Sequence, residues 1–522
     1  MDTMDFKLNR EAIAAAQTAL DSSCELPVER DFVLPDYYPD IFRVLKCTVS
    51  PDLSSTAING GKLTVEIAVL IRVLYLSEND KRINCIEQKM TVSKSLEMNG
   101  ECVNPAVYVK PKCDYVNCRV VNQRRLDVRG AVTASVKAEG ELKQAVVTNA
   151  FGGSVQLKKQ TVTYPARRLH VAKRITVIDE FEMSSSKPAV GAVLRCGCTV
   201  EQGDYLERKI IAGKLITKGE VQISMLYSCV NAAGEDSVET MRFSLPFSQI
   251  IDVDGIDESF DADVDISVGS CELIPKGENG NMLECELVLL VSCTAMKYET
   301  CEAVTDAYST CYECEIDRCE TQIECPPERI KQSAQAECTL TYSDGEIGCV
   351  YDSFAECGNI TSRLDSEKKC FMLSGNVKFT SLGAGEGGMP FLLEAETPFE
   401  QEIPFPEGCE EELSCEPNVT VCNCSYYLAG GSSIELKADL KIGGLIRRTC
   451  AGKLISELRV LTDKPKKRCE NYALKLCRCG SNEDIWDIAK KYSTSVTAIM
   501  EENELTDDKI TQQGMLLIPL MS

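Results

Sequence analysis

The side chains with the most chemical capacity in this sequence are thiols. There are 29 cysteines, an odd number, so they cannot all pair within one chain. The densest run is Cys311-x-x-Cys314 followed by Cys319 and Cys325. Soft donors of this kind hold zinc, but the spacing matches no known knuckle, and thiols packed as small hydrophobes are the favoured reading. The pairs Cys196/Cys198, Cys422/Cys424 and Cys477/Cys479 are each separated by one residue. On a strand such a pair points to one face. That suits packing, or late cross-linking if the protein ends up somewhere oxidising. No metal and no cofactor is expected. The single histidine, His170, cannot build a multi-histidine site, and no nucleophile motif accompanies it, so a solvated or structural role is expected. Gly61-Lys62 is followed by Leu63 rather than Ser or Thr, so it is no phosphate loop. The glycines of Leu382–Pro390 lie between strand-like segments and read as a hairpin tip. No catalytic set emerges, and a non-enzyme is expected.

The totals limit the partners. The chain has 522 residues, more than one core usually serves. Its formal charge of −24 repels phosphate backbones and anionic lipid, so nucleic acid is not expected as a partner. The short basic patch Lys464–Arg468 sits in an expected linker. The opening segment has charges of both signs and no apolar core of export length. No apolar run reaches the roughly 18 residues of a membrane span. A cytosolic chain with reduced cysteines is expected.

Strand patterns dominate up to about residue 462. In KLTVEIAVLIRVLYL, residues Leu63, Val65, Ile67, Val69, Ile71, Val73 and Tyr75 share one face. The pattern returns at Val221–Cys229, Leu283–Val291 and Ile434–Ile442, with polar turns between. The N-terminal EAIAAAQTAL fits a helix or a first strand, and its alanines favour the helix. The strands also repeat. YPDIFRVLKC ends at Cys47 and KPAVGAVLRC at Cys196, while GGKLTVEIAV and AGKLITKGEV align at Gly61 and Gly213. Both offsets are roughly 150 residues, a plausible domain size. A fainter third copy opens at Ser374-Gly375-Asn376-Val377. The expected fold is mainly β: three tandem antiparallel sandwich-like units over residues 1–165, 166–315 and 316–462. A linker (463–471) and a small βααβ α+β module (472–521) would follow.

DFVLPDYYPDIFRVLKC (Asp31–Cys47) resembles the motif that opens the SPOCS domain, a β domain of spore-coat and sporulation proteins. The likeness rests on Leu34-Pro35-Asp36, Pro39-Asp40-Ile41 and Arg43-Val44-Leu45; the second copy keeps only the later half. Pro35 and Pro39 fix the backbone, and Asp36 and Asp40 can cap turns, so a rigid lead into the first sheet is the favoured role.

The closing stretch SNEDIWDIAKKYSTSVTAIMEENEL holds the lone Trp486 and resembles a LysM module. Asp484 would cap the first helix, with Ile485, Ile488, Ala489 and Tyr492 inward; one of Ser493, Thr494 and Ser495 would cap the second. The family binds N-acetylglucosamine polymers between the loop before the first helix and the loop after the second. Here Asn482-Glu483-Asp484-Ile485 replaces the usual Gly-Asp-Thr-Leu, and Gln512-Gln513-Gly514 shifts the usual glycine. Glu483 would crowd the groove. The module is therefore read as repurposed to bind protein, through Asn482, Glu483, Asp484, Ile485, Trp486, Asn503, Gln512 and Gln513. The combination resembles coat morphogenetic factors of the mother-cell cytoplasm, acting at the forespore surface. The resemblance implies two kinds of partner: the coat-basement-layer ATPase and further coat proteins. A glycan-binding, wall-associated protein is the alternative.

Overall fold

Alternation decides this architecture. In the computed structural model, Leu63, Val65, Ile67, Val69, Ile71, Val73 and Tyr75 are all essentially inaccessible to solvent, as are Val221, Ile223, Met225 and Tyr227 of the second copy. The structure describes residues 6–99, 105–184, 186–231, 233–277, 281–405, 412–466, 473–480, 483–507, 509–510 and 513–520. The side chains of 15–16, 320–322 and 450–452 are excepted.

The first strands are β1 (Lys7–Val33), β2 (Ile41–Asn59), β3 (Lys62–Ser77), β4 (Ile83–Glu97), β5 (Ala106–Asn122) and β6 (Arg125–Phe151). They form two antiparallel sheets, β1-β6-β5 and the meander β2-β3-β4, whose inner faces share one core. The same plan follows with β7 (Val155–Glu182), β8 (Ala192–Val200), β9 (Glu207–Ile211), β10 (Lys214–Val230), β11 (Asp236–Asp252), β12 (Asp261–Lys276) and β13 (Met282–Ser309). Their sheets are β12-β13-β7 and β11-β10-β8, with β9 completing the strand that β8 begins. A third time come β14 (Tyr312–Glu324), β15 (Glu328–Thr341), β16 (Ile347–Asp365), β17 (Cys370–Gly385), β18 (Pro390–Pro404), β19 (Glu412–Leu428) and β20 (Ser433–Pro465). Here β16-β17-β18 is the meander, and β20 pairs with β15, β19 and β14. Pro326 and Pro327 separate β14 from β15, a break consistent with proline's inability to donate to a ladder. We propose that this recurrence divides the chain into three related units.

The alanine-rich segment is not helical. It lies within β1, where Ile13 and Ala19 are fully buried and the ladder to β6 runs from Lys7 to Val33. Helix propensity differs among residues by only about 0.7 kcal/mol apiece, which a long ladder and a buried face override.

Beyond its second partner, the last strand of each set continues as a two-stranded ribbon: β6 with the start of β1, β13 with the start of β7, and β20 with β14. The three ribbons pack on one another around two apolar clusters. One contains Val146, Ala303 and Leu454; the next contains Val147, Val304 and Ile455. Consecutive residues of a strand are thus both buried, as a bulge permits. Each ribbon has that bulge at the following residue: Thr148, Thr305 and Ser456 stand opposite no partner. Their hydroxyls donate to the facing strand's carbonyls, Thr148 to Asn9 (3.3 Å), Thr305 to Lys158 (3.3 Å) and Ser456 to Asp317 (3.1 Å). The meanders also meet, through Leu74, Leu76, Leu194, Leu226 and Leu382.

The Asp31–Cys47 motif is held by its prolines' carbonyls. Tyr75 Oη donates to Pro39 O (3.2 Å), and Tyr227 Oη to Pro188 O (3.3 Å) in the second copy. Arg124 donates to Pro35 O (2.8 Å) and pairs with Asp40 (2.5 Å).

Candidate functional site

The closing module consists of β21 (Leu474–Cys479), α1 (Ile485–Tyr492), α2 (Val496–Glu502) and β22 (Gly514–Pro519), with β21 and β22 antiparallel. Its helices are short and depend on their caps. Asp484 accepts from Trp486 N (2.8 Å), Ser493 closes α1 in a left-handed conformation, and Ser495 accepts from Ala498 N (3.1 Å). Ile485, Ala489, Ile499 and Ile518 form the fully buried centre.

One member of that core comes from elsewhere. Tyr308, on the β13 ribbon, is 3% exposed and packs among the module's residues. Its ring meets Trp486 edge-on, centroids 4.9 Å apart, and its hydroxyl donates to Thr494 O (2.7 Å) between the two helices. Two residues earlier, Asp306 accepts Trp486 Nε1–H (2.8 Å) and the Lys490 ammonium (2.6 Å), and pairs with Arg318 (2.8 Å). Lys158 of β7 pairs with Asp484 (2.5 Å). Lys466, past the end of β20, donates to Ser309 O (2.9 Å) and Ser493 Oγ (3.2 Å). The module is therefore docked, with Trp486 only 8% exposed. Burial alone would push the Asp306 carboxyl up, but its hydrogen bonds from Lys490 and Trp486 hold it below the usual carboxylate range. Asp484 behaves alike: burial opposes, and Lys158 and the Trp486 backbone N–H prevail.

This arrangement separates the residues the sequence grouped as a binding surface. Asp484, Ile485 and Trp486 face the module's interior or the β13 ribbon. Asn503 ties α2 to β22: its amide nitrogen donates to Ile499 O (2.8 Å) and Leu517 O (2.7 Å), and its oxygen accepts from Leu517 N (2.7 Å). Glu483 and Gln513 are exposed beside the paired loops, where Asp484 bridges Lys509 and Ile510 N donates to Glu483 O (3.1 Å). Asn482 and Gln512 lie outside the described residues. The outer face of β21 and β22 carries exposed Leu474, Leu476, Met515 and Leu517, which register alternation places together.

The docking residues Lys158, Asp306, Tyr308 and Lys466 were not evident from sequence. A trace existed: AVTDAY (303–308) matches VVTNAF (146–151), with Asp306 and Tyr308 in place of Asn149 and a half-exposed Phe151.

The other chemical candidates resolve differently. His170 is partly buried, its Nδ1 3.2 Å from Thr294 Oγ1 and its ring against Tyr108. Burial, then the nearby Arg168 charge, depress its pKa to about 4, so it is neutral and structural at physiological pH. Cys314 and Cys319 lie along β14, and Cys311 and Cys325 flank it. At about 3.3 Å per residue the ends of that run are some 45 Å apart, too far to share an ion.

The SPOCS domain family described as "SipL, SPOCS domain" matches residues 40–121 and 189–274, and the LysM domain family matches 480–518. The chain thus carries two SPOCS segments, each running from the first meander strand into β5 or β12, and a C-terminal LysM domain. Both are non-catalytic binding families, the first connected with sporulation and the second with glycan binding. No curated protein matches. A solved chain with some likeness is the type IV competence pilus secretin PilQ of V. cholerae. It is 11% identical over 56% of this chain and 61% of that one, with a TM-score of 0.09. Among the described residues no helix is long and apolar enough to cross a membrane.

Proposed function

We propose that this chain is a non-enzymatic sporulation scaffold of the mother-cell cytoplasm. It would tether the spore coat to the forespore surface by binding the coat-basement-layer ATPase through its LysM domain. The supporting observation is the docking. With Trp486 turned against Tyr308 and Asp306, the module offers Glu483, Gln513 and the apolar strip Leu474–Leu476–Met515–Leu517. An acidic loop beside an apolar strip suits a polypeptide better than a neutral sugar chain, which needs close backbone approach and flat rings. The two SPOCS segments supply the link to sporulation, and several β surfaces on one chain would raise partners' local concentration by linkage.

The LysM match itself favours a second reading, retention on peptidoglycan. Full-length protein with Leu476→Asp and Leu517→Asp, both outside the module's core, separates the two. On the proposed reading it loses forespore localisation and ATPase co-purification, and wild-type protein is not retained on purified peptidoglycan. Salt-resistant retention on peptidoglycan, together with unchanged localisation of the variant, would establish the alternative.

A further inference from the structure

Three thiols converge at the open edge of the second sandwich, with a fourth next to one of them. Cys196 and Cys198 sit on β8, and an i, i+2 spacing puts both on one face of that strand. Across the gap stands Cys271 on β12, with Cys285 of β13 diagonal to it: Leu273 is paired with Cys285, and Cys271 with Leu287. Strands β8 and β12 are outer strands of the two facing sheets. The Sγ atoms of Cys196, Cys198 and Cys271 all lie within 4.8 Å of one another. Cys196 and Cys198 are 3.8 Å apart at sulfur, and Cys271 and Cys285 are 3.9 Å apart. A tetrahedral ion with metal–sulfur bonds of about 2.3 Å has sulfur–sulfur edges of about 3.8 Å. The sulfurs of Cys196, Cys198 and Cys271 are thus grouped for an ion as they stand, whereas Cys285 Sγ lies beyond 4.8 Å from at least one of Cys196 and Cys198, and its side chain would have to turn toward them to complete the set.

We propose that Cys196, Cys198, Cys271 and Cys285 form a tetrathiolate site for a zinc-type divalent cation that pins the two sheets of this sandwich together. Binding releases the four thiol protons to solvent and forms four metal–sulfur bonds, with no change of oxidation state. The donor set is soft and four-coordinate, which selects zinc over magnesium or calcium. The resulting −2 charge would lie beside the Arg72 guanidinium, which donates to Cys196 O (3.3 Å) and also pairs with Glu87. A cavity of about 1190 Å³, lined by Arg72, Cys196, Gly269 and Cys271 among others, gives an ion a route in.

Disulfides are the competing use. Two cysteines on alternate positions of one strand are separated at Cα by about 6.6–6.8 Å, the upper limit for a bridge, so Cys196 and Cys198 are poorly placed to pair with each other. The first sandwich provides a contrast, since its equivalent edge brings together Cys47 and Cys118, with Val49 where the second has Cys198.

The test is metal analysis of full-length protein, purified under reducing conditions without chelator, followed by cobalt(II) substitution. About one zinc per chain is expected, with thiolate-to-cobalt charge-transfer absorption of a four-sulfur site. Cys271→Ser should lower bound metal at least tenfold, whereas Cys118→Ser should leave it unchanged. If Cys271→Ser fails to fold, cobalt(II) titration of reduced wild-type protein decides: a four-thiolate spectrum supports the site, and absence of a thiolate band overturns it. Undiminished metal in folded Cys271→Ser would also overturn it. So would a freshly isolated chain lacking four hydrogens by mass that takes up no cobalt after reduction.

Discussion

Asp306 is the residue on which the docking turns, because it holds three cationic or N–H donors at once: Trp486, Lys490 and Arg318. Hydrogen bonds to charged groups contribute roughly 1.5–3 kcal/mol each in mutational series, and Asp306 is only partly shielded, so Asp306→Ala should weaken docking by on the order of 2 kcal/mol. Trp486 is the only tryptophan, so its fluorescence reports the event directly, and a red shift is expected. An unshifted spectrum would mean that Tyr308 alone seats the module. The sign of the pH effect follows from the lowered carboxyls of Asp306 and Asp484. Their contribution is complete above the ordinary value of 3.8 and is lost as pH falls through their lower folded values, so the spectrum should hold from pH 7 to about 4. His170 acts in a different window. Its folded pKa is depressed from 6.5 to about 4, so the unfolded chain takes up a proton first. Stability should therefore decline between those values, by on the order of 3 kcal/mol, and His170→Gln should flatten that decline. As the only histidine, it gives a single NMR titration whose midpoint near 6.5 would refute the assignment.

Register carries the argument among the elements. Asp306 and Tyr308 face the module because the bulge at Thr305 sets the side on which the end of β13 presents them. A one-residue shift exchanges the two faces of a strand. Deleting Thr305 should therefore turn Asp306 and Tyr308 away and expose Trp486, while far-UV circular dichroism stays that of a β protein; retained Trp486 burial would show that the ribbon re-forms its register. Legibility in the sequence follows the same physics. Alternation over long, one-face-buried strands such as β3, β10 and β13 was readable because the core imposes period two. The strand at Ile13–Leu20 was not, since alanine fits a helix as readily as a close-packed ladder, and only its partner β6 decides. The third meander was faint for a backbone reason. The turns into β3 and β10 use Gly61 (φ 77°) and Gly213 (φ 76°), but the turn into β17 uses Lys369 (φ 52°), which erases the glycine that marks the repeat. At the candidate site, the module's caps and core were readable from local sequence. Its seat was not, because Lys158, Asp306 and Tyr308 reach it only through the packing of ribbons distant in the chain.

At the scale of the whole molecule, the three ribbons converge where the module docks. Val147, Val304 and Ile455 are fully buried in one cluster, each immediately before its bulge, and Ala307 and Leu458 complete that cluster beneath Asp306 and Tyr308. Ile455 belongs to the β20 ribbon, yet it packs in the same core as Val304 and Ala307 on either side of the Thr305 bulge. Truncating a buried isoleucine to alanine removes its packing and leaves a cavity, at about 2–5 kcal/mol. If the ribbons form one packed body, part of that loss falls on the shape of the β13 end, and Ile455→Ala should loosen Trp486. A double-mutant cycle with Asp306→Ala measures the coupling. Docking free energies, read from Trp486 fluorescence against denaturant, should be non-additive by at least about 0.5 kcal/mol, the level that marks residues sharing one packed network. Strict additivity would mean that the module senses only its own ribbon. In that case the bundle would act as three independent stalks rather than as a hub joining the β units to the terminal domain.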